Sequence, residues 1–124
     1  MISKVGQIML YVNNQDQSRD FWTEKLGFHV VSEETSGDMR WIEVAPAKGE
    51  TSIVLHNKEF VAKMNPGMNL GTPSLMFFTE HLDQLHGDLT NKNVKVGEIV
   101  VMPAGRVFNF ADDEENYFAV MEKK

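Results

Sequence analysis

Residues 4–28 read "KVGQIMLYVNNQDQSRDFWTEKLGF". The first part alternates. Gln7, Met9 and Tyr11 fall on one face of a strand, and Ile8, Leu10 and Val12 on the other. The second set is a plain core face. A polar break at Asn13-Asn14 follows, and the periodicity then becomes helical. Asn14 or Asp16 can accept the first free backbone N–H groups. Phe21, Trp22 and Leu26 recur at near-helical spacing, and Gly27 is a natural left-handed stop. A strand that feeds a helix ending in Leu-Gly-Phe is therefore the opening unit.

Three extended segments follow it. "FHVVSEE" is the first, "MRWIEVA" the second after the turn-like "TSGD", and "TSIVLHN" the third after "PAKGE". The order is strand, helix, strand, strand, strand. The same order then recurs. "PSLMFF" reads as a strand and "TEHLDQLHGDLTNKN" as a helix, with Leu82, Leu85 and Leu89 on one side and Thr79 as its cap. "VKVGEIVV", "GRVFNFA" and "YFAVMEK" complete the second copy. Gln7 corresponds to Ser74, Trp41 to Phe108 and Val54 to Val120, at offsets of 67, 67 and 66. Matched order at nearly constant offset indicates two copies of one βαβββ unit. The expected organisation is a single domain over 1–124, with module 1 at 1–57, a linker at 58–72 and module 2 at 73–124. The linker holds Pro, Gly and Asn, with a helical turn at 58–64.

The bulk properties narrow the function. The chain has 124 residues, 42% of them hydrophobic, which suits one compact domain or two packed halves. Cysteine is absent, which removes disulfides, thiolate metal sites and cysteine nucleophiles. The net charge of −6 argues against nucleic acid. No run approaches the ~20 apolar residues of a membrane span, and residues 1–12 lack the apolar run of a signal peptide. A soluble, cytoplasmic protein is expected.

Strand, helix and Leu-Gly-Phe in residues 8–28, together with "RVFNFADDEENYFAVME" before the end, resemble the vicinal oxygen chelate superfamily, the glyoxalase I, bleomycin-resistance and extradiol-dioxygenase group. The second stretch is similar to the family's Phe-x-Asp-Pro-x-Gly-Asn pattern but lacks its Pro and Gly. The resemblance covers nearly the whole chain. It implies an α+β fold of two paired βαβββ modules, each a mixed, curved four-stranded sheet with its helix outside. It also implies a homodimer, and a cleft that metal enzymes of the group line with one ligand on the first and one on the last strand of each module. Those places fall here on Gln7, Val54, Ser74 and Val120.

Gln7 is an acceptable ligand, Ser74 an unusual one, and the two valines have no lone pair to give. A catalytic zinc site ordinarily needs three protein ligands. The expectation is therefore a metal-free site that binds or sequesters a small molecule. Period two supplies its walls: Gln7, Met9 and Tyr11; Trp41 and Glu43; Ser52, Val54 and His56; Ser74, Met76 and Phe78; and Arg106, Phe108 and Phe110, with Val120 and Phe118 nearby. Apolar walls with sparse polar anchors suit a small-molecule site. Arg106 can bind a carboxylate or phosphate, pair with Glu43, or serve an interface. The alternative is a glyoxalase-like lyase or isomerase, or a dioxygenase, whose divalent ion sits in a displaced site of Gln7, His56 and Glu122. His29, His81 and His86 read as surface residues. No nucleotide-binding, hydrolase or zinc-protease motif is present.

Overall fold

The computed structural model describes residues 1–49 and 51–123. Glu50, the last residue of the expected "PAKGE" turn, lies outside them. The chain divides into two compact units, Met1–Thr72 and Pro73–Lys124.

In the first unit, β1 (Gln7–Val12) leads to α1 (Gln15–Asp20), which a π-helical turn (Phe21–Lys25) extends. Then come β2 (His29–Ser36), β3 (Met39–Ala45), β4 (Ser52–Asn57) and α2 (Lys58–Met64). The strands form one mixed sheet in the order β1-β4-β3-β2, with β1 and β4 parallel and the other neighbours antiparallel. Asn14 caps α1: its side chain accepts from the Gln17 N–H at 3.0 Å. At the far end Gly27 takes φ +74, and the Phe28 N–H reaches back to the Trp22 carbonyl at 3.0 Å. That wide closing turn brings the rings of Trp22 and Phe28 to 5.2 Å.

α1 packs on β3 and β4. The sheet face beneath it holds Leu10, Val12, Ile42, Val44 and Leu55, all fully buried, together with Trp22 from the helix. Each such side chain contributes roughly 1.5–3 kcal/mol of burial. One polar group enters this layer. The buried Gln15 amide donates to the Leu55 carbonyl at 2.9 Å and the Arg40 carbonyl at 2.8 Å, tying the first helical turn to two strands.

The second unit repeats the plan with β5 (Met76–Thr79), α3 (Leu82–Asn91), β6 (Val100–Met102), β7 (Gly105–Ala111) and β8 (Tyr117–Glu122). Its sheet is also mixed, in the order β5-β8-β7-β6. The expected strand over 94–101 is mostly absent. Asn93 turns the chain at φ 64, and before β6 the segment meets the β7 edge at an isolated bridge of Val96 with Phe110, with bonds from the Gly97 N–H to the Asn109 carbonyl and from the Ala111 N–H to the Lys95 carbonyl. The acidic turn 112–116 is organised by buried Asp112, whose carboxylate accepts from the backbone N–H groups of Glu114 and Asn116. Glu115 sits at φ 60, where glycine is favoured. The expected pair of βαβββ modules, α+β with mixed four-stranded sheets, is thus the observed fold. Among the described residues no helix is long and apolar enough to cross a membrane.

Candidate functional site

Strand pairing decides which side chains share a face. In the first sheet Gln7 pairs with Ser52, Met9 with Val54 and Tyr11 with His56. Across β3, Glu43 pairs with Val54 and Trp41 with His56. Directly paired residues point the same way. Gln7, Met9, Tyr11, Trp41, Glu43, Ser52, Val54 and His56 therefore occupy the face opposite α1, where the sequence reading put them.

This face has a polar and an apolar end. At the polar end the Ser52 hydroxyl donates to one oxygen of Glu43 at 2.5 Å, and the Ser32 hydroxyl donates to the other at 3.2 Å. The Ser52 hydrogen bond, joined by those from Ser32 and Gln7, outweighs desolvation and holds the Glu43 carboxyl below the usual glutamate range. Glu43 is thus a fixed anion at neutral pH and a weak base. It lies in a cavity of about 830 Å³, with Lys4, His29 and Pro46 among the rim residues.

At the apolar end a cavity of about 480 Å³ is lined by Met9, Tyr11, Met39, His56, Phe60 and Met64, with Met68 beside them. His56 Nε2 lies 3.2 Å from the Met9 sulfur, and its ring stacks on Tyr11 at 6.0 Å. Burial pushes the His56 imidazole down, which keeps it neutral near pH 7. One wall is α2. Its cap is Asn57, the last residue of β4, whose side chain accepts from the Phe60 N–H at 2.9 Å. Phe60, Val61, Met64 and Met68 were missed because residues 58–72 read as a linker, and Met39, the first residue of β3, was missed although period two puts it on the face of Trp41 and Glu43. Phe60, Val61 and Met64, at one-turn spacing behind a capping Asn, were the available signal.

The second sheet corrects the sequence reading. Phe108 pairs with Val120 and Phe110 with Phe118, and Phe108, Phe110, Phe118 and Val120 are all buried. α3 packs on β7 and β8, and His86 on α3 meets Phe108 edge-on at 4.9 Å, so it is half-buried instead of superficial. Phe108, Phe110 and Val120 therefore line the helix-covered core and not a cleft. Arg106 shares that face. It grips Glu122 and Asp83, each at 2.8 Å, so its guanidinium is held by two carboxylates of its own unit. The opposite face carries Met76 and Phe78, paired with Ala119 and Met121, with Val107, Asn109 and Tyr117 alongside. Ser74 and Met76 border a cavity of about 340 Å³ there with Asn109 and Tyr117.

The donors do not fit a divalent ion at the implied places. Val54 stands on the expected face with no lone pair. On the face that β5 shares with Met76, the last strand offers Ala119 between Tyr117 and Met121, not Val120. The displaced set fails as well. Gln7 and His56 lie four residues of strand apart in register, about 13 Å, whereas zinc ligands stand about 2 Å from the ion. Glu122 is held by Arg106 on the helix side of its sheet. Among the described residues, no three His, Cys, Asp or Glu side chains group to hold a metal.

A family model described as the Glyoxalase/Bleomycin resistance protein/Dioxygenase superfamily matches residues 4–120. YetH, an uncharacterized protein of Bacillus subtilis (strain 168), is 31% identical over 124 residues, covering 98% of this chain and all of its own. The crystal structure of TnmS3, an antibiotic binding protein from Streptomyces sp. CB03234, superposes with a TM-score of 0.85 at 27% identity and covers 99% of this chain and 98% of its own. A superfamily member from Sphaerobacter thermophilus DSM 20745 gives 0.84 at 26% identity, with 98% of both chains covered.

Proposed function

The chain belongs to the Glyoxalase/Bleomycin resistance protein/Dioxygenase superfamily, and within it we propose a protein that binds or sequesters a small apolar molecule without the help of a metal ion. The observation that carries this reading is the 480 Å³ cavity on the first sheet, walled by methionines, Tyr11, His56 and Phe60. A void of that size suits a drug-sized ring system. Thioether and aromatic walls adapt to flat guests by dispersion and S–π contact. Val54, beside Met9 in register and buried, has no lone pair to offer where an ion-binding relative would need a donor. The similarity to the antibiotic binding protein TnmS3 supports the same reading.

Nile red supplies the test. Its emission is expected to rise and shift to the blue with saturable, one-site binding to the wild-type protein. Met39→Asp places a carboxylate in the apolar wall and is expected to weaken that binding at least about tenfold, since burying one side chain of this size is worth roughly 1.5–3 kcal/mol. No saturable binding, or equal binding by a folded Met39→Asp protein, would sink the reading.

A homodimer belongs to the same proposal. The helix-free face of the second sheet exposes Met76, Phe78 and Tyr117 together, and such apolar clusters favour burial against another surface. Light scattering at micromolar concentration is expected to give twice the 14.1 kDa chain mass. A monomer would count against it.

A further inference from the structure

We propose that the molecule held on this face is a cation joined to an apolar ring system, with the rings in the methionine cavity and the cationic group at Glu43. This rests on the binding reading above and adds the chemical class of the guest.

The two cavities of the first sheet are neighbours, because Met9 lines both. On one side the walls are thioether, phenyl and a neutral imidazole. On the other lies the Glu43 carboxylate. Glu43 and Trp41 alternate along β3, opposite Val54 and His56. The anion and the ring-stacking end are thus two residues of strand apart, about 7 Å. A guest with an ammonium a few bonds from its rings spans that distance.

Glu43 is prepared for such a partner. A carboxylate offers about four acceptor positions. Ser52 and Ser32 fill one position on each oxygen and hold the group in place. The remaining acceptor capacity can take a donor from the guest, and a charged donor makes the stronger bond. Among the described residues, the other titratable groups lining this cavity are Lys4 and His29, both exposed. Lys4 stands before β1 at the rim, whereas Glu43 is in the sheet floor. The net charge of −6 adds long-range attraction for cations.

Three matched probes separate this proposal from the one it rests on: 2-(1-naphthyl)ethylamine, its uncharged N-acetyl derivative, and 3-(1-naphthyl)propionate. Titration calorimetry is expected to show the ammonium binding about tenfold or more tighter than the amide, with the carboxylate weakest. Raising the salt to about 0.5 M should shrink the ammonium advantage. Glu43→Gln should bring the ammonium down to the affinity of the amide. Should that variant fail to fold, Lys4→Ala serves instead and is expected to tighten the ammonium alone. Equal affinities for all three probes would overturn the cationic assignment and leave the apolar cavity standing. Failure of every naphthyl probe to bind would overturn both.

Discussion

Phe108→Ala is expected to cost about 3–5 kcal/mol of folding stability, while Asn109→Ala, one residue along the same strand, is expected to stay within about 0.5 kcal/mol. The contrast follows from strand geometry. Phe108 is 1% exposed and packs beneath α3 against His86 and Val120. Asn109 points the other way and is exposed. Removing the Phe108 ring leaves a cavity that α3 cannot collapse into without losing its own contacts. Urea unfolding monitored by circular dichroism measures both. A mild effect at Phe108 would mean that its side chain lines an open groove, and the register of the second sheet would have to be reassigned.

Gln15→Leu is expected to lose about 2–4 kcal/mol although it adds apolar volume. The wild-type amide satisfies the Leu55 and Arg40 carbonyls from a buried position. A leucine removes two hydrogen bonds, each worth about 1 kcal/mol net, and leaves acceptors in a dry layer at further cost. The unfolding midpoint should fall with little change in slope. A midpoint equal to wild type would show that water reaches those carbonyls. The result would also bear on the site, because Arg40 and Leu55 lie on β3 and β4, the strands that carry Glu43 and His56.

The fold was legible because its signals are local. Alternation in residues 7–12, the Asn14 cap and the Gly27 stop each act within a few residues, and the structure has all three. The face assignments in the first unit were equally readable, since Leu10 and Val12 against Met9 and Tyr11 leave little choice. The second unit failed for a reason of counting. By register Glu43 matches Asn109, an offset of 66, and Val54 matches Ala119, an offset of 65. The repeat as read from the sequence puts them at 67 and 66 instead. A slip of one residue moves a whole strand's side chains to the opposite face. Phe108 and Val120 also made the error easy, because an aromatic or aliphatic residue suits a core as well as a groove. Arg106 misled differently: its partners Asp83 and Glu122 come from α3 and β8, and nothing local to residue 106 announces them.

The wall of the methionine cavity is made by a helix of seven residues, too short to persist by itself in water. It stands because Asn57 anchors it to the strand and Val61 is buried. The sheet does not depend on it in return: Leu10, Ile42 and Leu55 are covered from the side of α1. Framework and wall are thus separable parts. Selection can rewrite residues 58–68 to admit a guest of different outline while the scaffold keeps its stability, which gives one architecture a route to many specificities.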